Sequence, residues 1–238
     1  EIYKMIEIKN VTKKYGDKVA IKNIHFNVND GDIFAFIGHN GAGKTTLIKA
    51  IVGIHDFNEG DILINGKSIK ENPLECKKEM AYVQDNPELY DNMKAIDFIN
   101  FICDMYEIDE ETRKANIEKY SKVFEMEDKL GDPINSFSHG MKQKCALIAA
   151  LAHDPKILIM DEPFVGLDPK AVFDMKEIMN EMVKEGKTIF FSTHILDVAE
   201  KLCSRVAIIN KGKLEKVGKM KEVMGDKSLE KVFLELDK

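Results

Sequence analysis

The stretch Gly38-His39-Asn40-Gly41-Ala42-Gly43-Lys44-Thr45-Thr46 constrains this chain more than any other, because it meets the phosphate-loop pattern G-x-x-x-x-G-K-[ST] at every constrained position. A polyphosphate needs several donors converging on one small volume. Glycines at 38, 41 and 43 let the backbone approach without side chains in the way. The preceding run Ile33-Phe34-Ala35-Phe36-Ile37 is almost wholly apolar, as a buried parallel strand is, and residues 45–52 read as a helix ending near Gly53. Strand, loop and helix in that order put backbone N–H groups and the positive end of a helix dipole against phosphate oxygens. The pattern assigns Lys44 to the β and γ phosphates of a nucleoside triphosphate and Thr45 to Mg²⁺.

A loop that binds triphosphate for hydrolysis also needs a carboxylate for the metal shell and one for the attacking water. The second apolar run, Ile157-Leu158-Ile159-Met160, ends in Asp161-Glu162-Pro163. Carboxylates at the end of a buried strand are costly unless used, and in a parallel sheet ligands lie at the carboxyl ends of the strands. Asp161 is therefore expected to organise Mg²⁺, and Glu162 to polarise water for attack on the γ phosphate.

The 238 residues suffice for one large α/β domain with lobes, and 44% hydrophobic with 32% charged residues describes a globular chain. No apolar run approaches the roughly 18 residues of a membrane span, which excludes a channel or pore. A net charge of −6 opposes non-specific attachment to nucleic acid or to an anionic leaflet. No nucleic-acid partner is expected, and membrane attachment is expected to come through a protein. Cys76, Cys103, Cys145 and Cys203 lie far apart, without metal-ligand spacing, and read as buried thiols of a reducing cytoplasm. No signal peptide is recognised, and Met5 is expected to be the natural start, with residues 1–4 an added or truncated segment.

Along the chain, alternating runs at 6–11, 20–28 and 61–64, punctuated by Gly and Asn turns, read as an antiparallel sheet beside the phosphate-loop strand. Strand signals then vanish, and 95–106, 110–127 and 141–152 read as three inserted helices. Short strands at 156–160, 188–192 and 204–209 alternate with helices at 169–185 and 195–202, the pattern of a parallel sheet. The expected fold class is α/β, a P-loop NTPase with a mostly parallel sheet core, an antiparallel β subdomain and a helical insertion. The single domain divides into a core at 5–93 and 154–220, a helical part at 94–153 and a tail at 221–238.

These residues resemble the nucleotide-binding subunits of ABC transporters, and the resemblance runs from about Met5 to the C-terminus. Tyr15 in Lys13-Lys14-Tyr15-Gly16 matches the aromatic that stacks on adenine, and the loop Gly38 to Thr46 is then an ATP-binding loop. Gln84 matches the glutamine loop that reaches Mg²⁺ and water, making Thr45, Gln84 and Asp161 the implied metal set. His194 in Ser192-Thr193-His194 matches the histidine at the γ phosphate, beside Glu162 and Gln84 as the implied catalytic residues. Asp168 in Gly166-Leu167-Asp168-Pro169 matches the loop that crosses to a partner subunit, although Asp before Pro is equally an N-cap and N1 pair. Ser138-His139-Gly140-Met141 stands where the family carries its signature, which binds the nucleotide held by the other subunit. His139 and Met141 replace Gly and Gln there. The backbone donors and the helix dipole survive that change, while affinity and hydrolysis rate are exposed to it. Without a nucleotide, Ser138 is simply the cap of the helix beginning near Met141.

The resemblance implies an ATP-dependent pair, formed with a second copy or a homologous ATPase subunit. It also implies an integral membrane permease on a separate chain, and so a peripheral position on the cytoplasmic face of the cell membrane. Residues 86–97 are the expected docking segment. The tail 228–236 and the Ser138 to Gln143 run resemble exporters with separate ATPase and permease chains. A soluble single-cassette ATPase with an assembly or regulatory role is the alternative, and the transported compound is not written in this chain.

Overall fold

The computed structural model describes residues 3–236; residues 1–2 of the segment before Met5 and 237–238 of the tail lie outside the described residues. Alternating apolar residues pair Lys4–Tyr15 (β1) with Lys18–Asn29 (β2) as an antiparallel hairpin, burying Ile6, Ile8, Ile24, Phe26 and Val28 on one side. The chain then enters a second sheet through Ile33–Ile37 (β3), buried at every position, and passes by the glycine loop into Lys44–Ile51 (α1). Glu59–Ile64 (β4) and Lys67–Ser68 (β5) return to the first sheet, in the order β2-β1-β4-β5. After Pro73–Lys78 (α2), Met80–Val83 (β6) joins the second sheet as an edge strand that the sequence does not announce: four residues are too few to set a period.

Ala95–Met105 (α3), Glu110–Val123 (α4) and His139–Ala152 (α5) follow where three helices are expected. Helix α4 stops short of Glu127 because the chain turns out at Glu125, φ 55°, into a short 3₁₀ turn at Glu127–Lys129. Helix α5 begins two residues before the expected Met141, because the Ser138 side chain caps it from outside. Ile157–Asp161 (β7), Pro169–Lys184 (α6), Thr188–Thr193 (β8), Leu196–Leu202 (α7) and Arg205–Asn210 (β9) then alternate strand and helix. Lys213–Lys219 (β10), Met220–Met224 (α8) and Leu229–Leu236 (α9) complete the described chain. The second sheet runs β10-β9-β3-β8-β7-β6, parallel throughout except for β10.

Both faces of this sheet are covered, which explains why β3, β7 and the middle of β8 are apolar runs and not alternating ones. One face meets the antiparallel sheet through stacked aromatics: Phe26 lies 5.2 Å from Phe34, and Phe34 lies 5.6 Å from Phe190. The other packs on Met175, Ile178, Met179 and Met182 of α6 and on α5, which also anchors α3 and α4. Among the described residues no helix is long and apolar enough to cross a membrane.

His153, directly after α5, is buried with its ring stacked on Tyr106 at 3.7 Å between centroids. Burial pushes its pKa down to about 4, opposed by a backbone hydrogen bond and then by the charge of Asp154. An unfolded His titrates near 6.5, so between about pH 6.5 and 4 the unfolded chain takes up a proton that the folded one refuses. Stability from this site is therefore complete above about pH 6.5 and falls as pH drops through that window, by about 2–3 kcal/mol. Thermal melts from pH 7.5 to 4.5 are expected to show a shallower acid decline in His153→Gln than in the parent chain.

Candidate nucleotide site

The phosphate loop is shaped by what its glycines touch. A Cβ on Gly38 would lie 2.6 Å from the Ile209 carbonyl oxygen at the end of β9, and Gly43 holds φ 109° immediately before α1. The inner limb is tied to the Lys211-Gly212 turn by the Gly212 N–H, which donates to the Ala42 carbonyl at 2.9 Å. Lys44 is buried, and its Nζ folds back over the loop to donate to the Gly38 carbonyl at 2.6 Å and the His39 carbonyl at 3.4 Å.

Two strands away in the same sheet, β7 delivers the carboxylates. Asp161 Oδ2 accepts from the Thr45 hydroxyl at 2.6 Å, while its Oδ1 accepts from the Ser192 hydroxyl at the end of β8. Glu162 Oε1 lies 3.1 Å from Lys44 Nζ, and its Oε2 lies 2.9 Å from His194 Nδ1 and accepts the His194 N–H at 3.2 Å. The Glu162 backbone sits at φ 48°, an uncommon conformation for a residue with a side chain, held by its N–H donating to the Ser192 carbonyl at 3.1 Å. A Lys44–Glu162–His194 chain thus crosses the mouth of the loop. The cation side is buried and the imidazole side is half exposed.

Apart from Ser192 and His194, which stand behind Asp161 and Glu162, these groups line one open cleft of about 570 Å³, within the range of small-ligand sites. Residues His39, Asn40, Gly41, Gly43, Lys44, Thr45 and Thr46 line it together with Tyr15, Asp161 and Glu162, while Gly38 contributes the carbonyl beneath Lys44. Lys18, Asp85 and Lys211 also line it, and sequence reasoning missed all three. Lys211 and Gly212 form the turn after β9, and nothing local in the sequence says that this turn reaches the cleft. Gln84 lies elsewhere, along a neighbouring groove with Tyr90, Phe98 and Ile102. The Asp85 carboxyl is raised above its ordinary range by burial and then by the charges of Asp161 and Glu162, with His139 and His194 opposing.

None of the residues of the expected signature lines this cleft, although His139 stands near enough to act on the Asp85 carboxyl. Ser138 Oγ accepts the Met141 N–H at 3.3 Å, as an N-cap does. The His139 ring covers Gly166, where an added Cβ would lie 2.5 Å from Cδ2, and a Cβ on Gly140 would lie 2.7 Å from the Gly166 carbonyl oxygen. Asp168 caps α6 by accepting the Ala171 N–H at 2.9 Å, and its other oxygen pairs with Lys144 of α5 at 2.7 Å. Signature and Asp168 loop are therefore locked together within one subunit.

The donor set suits Mg²⁺. Thr45 and Asp161 present adjacent hard oxygens, and Mg²⁺ takes one or two protein ligands with the rest from water and phosphate. Among the described residues no group of three or more His, Cys, Asp or Glu is placed to hold a metal ion.

A mostly parallel sheet with a phosphate loop after β3 and paired carboxylates at the end of β7 defines a P-loop NTPase. The family model described as ABC transporter matches residues 21–165, and the chain belongs to the ATP-binding subunits of that family; it is an ATPase. The ABC-type transporter ATP-binding protein EcsA of Bacillus subtilis (strain 168) is 34% identical over 239 residues, covering 98% of this chain and 97% of that protein. A solved ATP-binding subunit of an ABC transporter superposes with a TM-score of 0.94 at 32% identity, covering 98% of this chain and 99% of that one. The cassette MJ0796, solved as a dimer in a post-hydrolysis state bound to ADP and Pi, matches with a TM-score of 0.82 at 25% identity, covering 91% of this chain and 99% of that one.

Proposed function

We propose that this ATPase powers export through a membrane permease carried on a separate chain, working as an ATP-dependent pair. The observation that carries the reading is the set of groups around one cleft: Lys44 and Thr45 on the loop, Asp161 beside Thr45, and Glu162 between Lys44 and His194. In this reading ATP takes the place of Glu162 as the partner of Lys44, with adenine against Tyr15, half exposed at the cleft edge. Bound Mg²⁺ would be held by Thr45 and Asp161 and would neutralise charge on the phosphates. Glu162, released from Lys44, accepts a proton from water, and His194 holds it in place through Nδ1. Gln84 joins the site only when the lobe carrying α3–α5 moves, since in this arrangement it borders the groove.

That groove is the proposed permease dock. Tyr90, Phe101 and Met105 are exposed along α3 and the segment 86–97, and such apolar faces mark protein contacts. The Ser138 cap with His139, Gly140 and Met141 would meet the triphosphate of a partner subunit through the N-terminus of α5, with Asp168 crossing beside it. The export direction rests on the resemblance of the tail and of the Ser138 to Gln143 run. Copurification with a membrane protein is expected, and recovery of a soluble scaffold instead would overturn the transporter reading. Sedimentation of Glu162→Gln is expected to show twice the monomer mass with MgATP and the monomer without it. A mass indifferent to MgATP would overturn the pairing.

A further inference from the structure

The C-terminal helix α9 lies beyond the span of the family model, yet it reaches the phosphate loop. Its Leu229, Val232 and Phe233 are buried, and the Phe233 ring lies 4.6 Å from the His39 imidazole, tilted at 57°. Both ends of the helix are fixed: the Leu229 N–H donates to Glu200 of α7 at 2.8 Å, and Asn210 Nδ2 at the end of β9 donates to the Leu236 carbonyl at 3.4 Å. Phe233 and Leu236 close a small void with His39, Ile208 and Ile209, and Ile209 is also the residue that crowds Gly38. The first limb of the loop is thus held between β9 and α9, as the second limb is held by the Lys211-Gly212 turn.

The His39 main chain links this contact to the site. Its carbonyl accepts from the Ala42 N–H at 3.1 Å, closing the loop, and from Lys44 Nζ at 3.4 Å. The geometry points to Phe233 as a positioning residue for ATP: by pinning the His39 ring, α9 sets the loop in its binding shape before nucleotide arrives. A loop ordered in advance loses less entropy when it binds. An aromatic pair of this kind is worth roughly a three- to tenfold change in an equilibrium constant. This inference rests on the reading of Gly38 to Thr46 as the ATP-binding loop.

The test is fluorescence titration of the full chain with a labelled ATP analogue, alongside steady-state kinetics. Phe233→Leu keeps the apolar volume and loses the ring, so the fold is expected to survive while Kd and KM rise about three- to tenfold and kcat stays within twofold. Phe233→Tyr should restore parental affinity, and Leu234→Ala, on the exposed side of the same helix, should change nothing. His39→Ala is expected to weaken binding similarly, with the double variant no weaker than the worse single one, because the two side chains act as one contact. Parental affinity in Phe233→Leu, or multiplicative losses in the double variant, would overturn the inference. Lys44→Met separates the two levels: if it leaves affinity intact, the loop reading itself fails; if it alone weakens binding, only the role of Phe233 fails.

Discussion

Replacing Glu162 with Gln is expected to lower steady phosphate release by about a hundred- to ten-thousand-fold while leaving ATP binding intact, because general-base catalysis contributes on that scale. The substitution keeps shape and hydrogen-bonding capacity and removes only the charge and the basicity. Geometry favours Glu162 over its neighbours as the base. Asp161 has one oxygen accepting from Thr45 and the other from Ser192, which fixes its carboxylate on the metal side of the cleft. Asp85 lines the cleft from the chain between β6 and α3, but the contacts of His194 and Lys44 go to Glu162. Glu162 alone is both oriented, by His194, and displaceable, since its other partner Lys44 is the group that the phosphates are expected to take over. The variant should therefore bind ATP slightly more tightly than the parent, because Lys44 no longer leaves an ionic partner behind. Phosphate-release assays beside equilibrium titration check both halves. A variant retaining more than about a tenth of the parental rate would move the base elsewhere.

How much of this could be read from residue order follows from the range of each interaction. The phosphate loop and the Asp161-Glu162 pair were legible because the constraints act within a few residues: a glycine where the backbone must approach, an apolar strand before it, a helix after it. Burial on both faces turned β3 and β7 into apolar runs that stand out from the alternating β1 and β2. The edge strand β6 was not legible, and the place of Asp85 just beyond it at the cleft was not anticipated. Which of two adjacent side chains faces the cleft depends on where the strand ends, and here Asp85 lines the cleft while Gln84, matched through the family resemblance, borders the groove. The contacts of His39 with Phe233 and of His139 with Gly166 join positions far apart in the chain. No local pattern records them, because neither ring follows a turn or a helix period. Asp168 shows the opposite case, where capping was fully predictable and its pairing with Lys144 was not.

Lys44→Met is expected to abolish measurable ATP binding and also to destabilise the nucleotide-free protein, two effects with one origin. Lys44 and Glu162 form a buried ion pair, with side chains 6% and 10% exposed. Removing one member of such a pair leaves the other charge uncompensated, at a cost of about 3 kcal/mol, or roughly 6–12 °C in Tm for a domain of this size. His194 remains beside Glu162 but is half exposed and reaches only Oε2, so it does not replace the lost cation at Oε1. Met fills much of the volume of the lysine stem, which keeps loss of packing out of the measurement. If the cost is the orphaned carboxylate, then adding Glu162→Gln to Lys44→Met should recover most of the lost stability, to within about 1 kcal/mol of the parent, because two neutral side chains of similar shape carry no such penalty. ATP binding should stay absent in the double variant, since the phosphates still lack their cation. Melting curves of the two single variants and the double variant decide the matter. Additive losses in the double variant would mean that the ion pair does not stabilise the resting site, and that Glu162 is held at the cleft mouth by its contacts with Ser192 and His194.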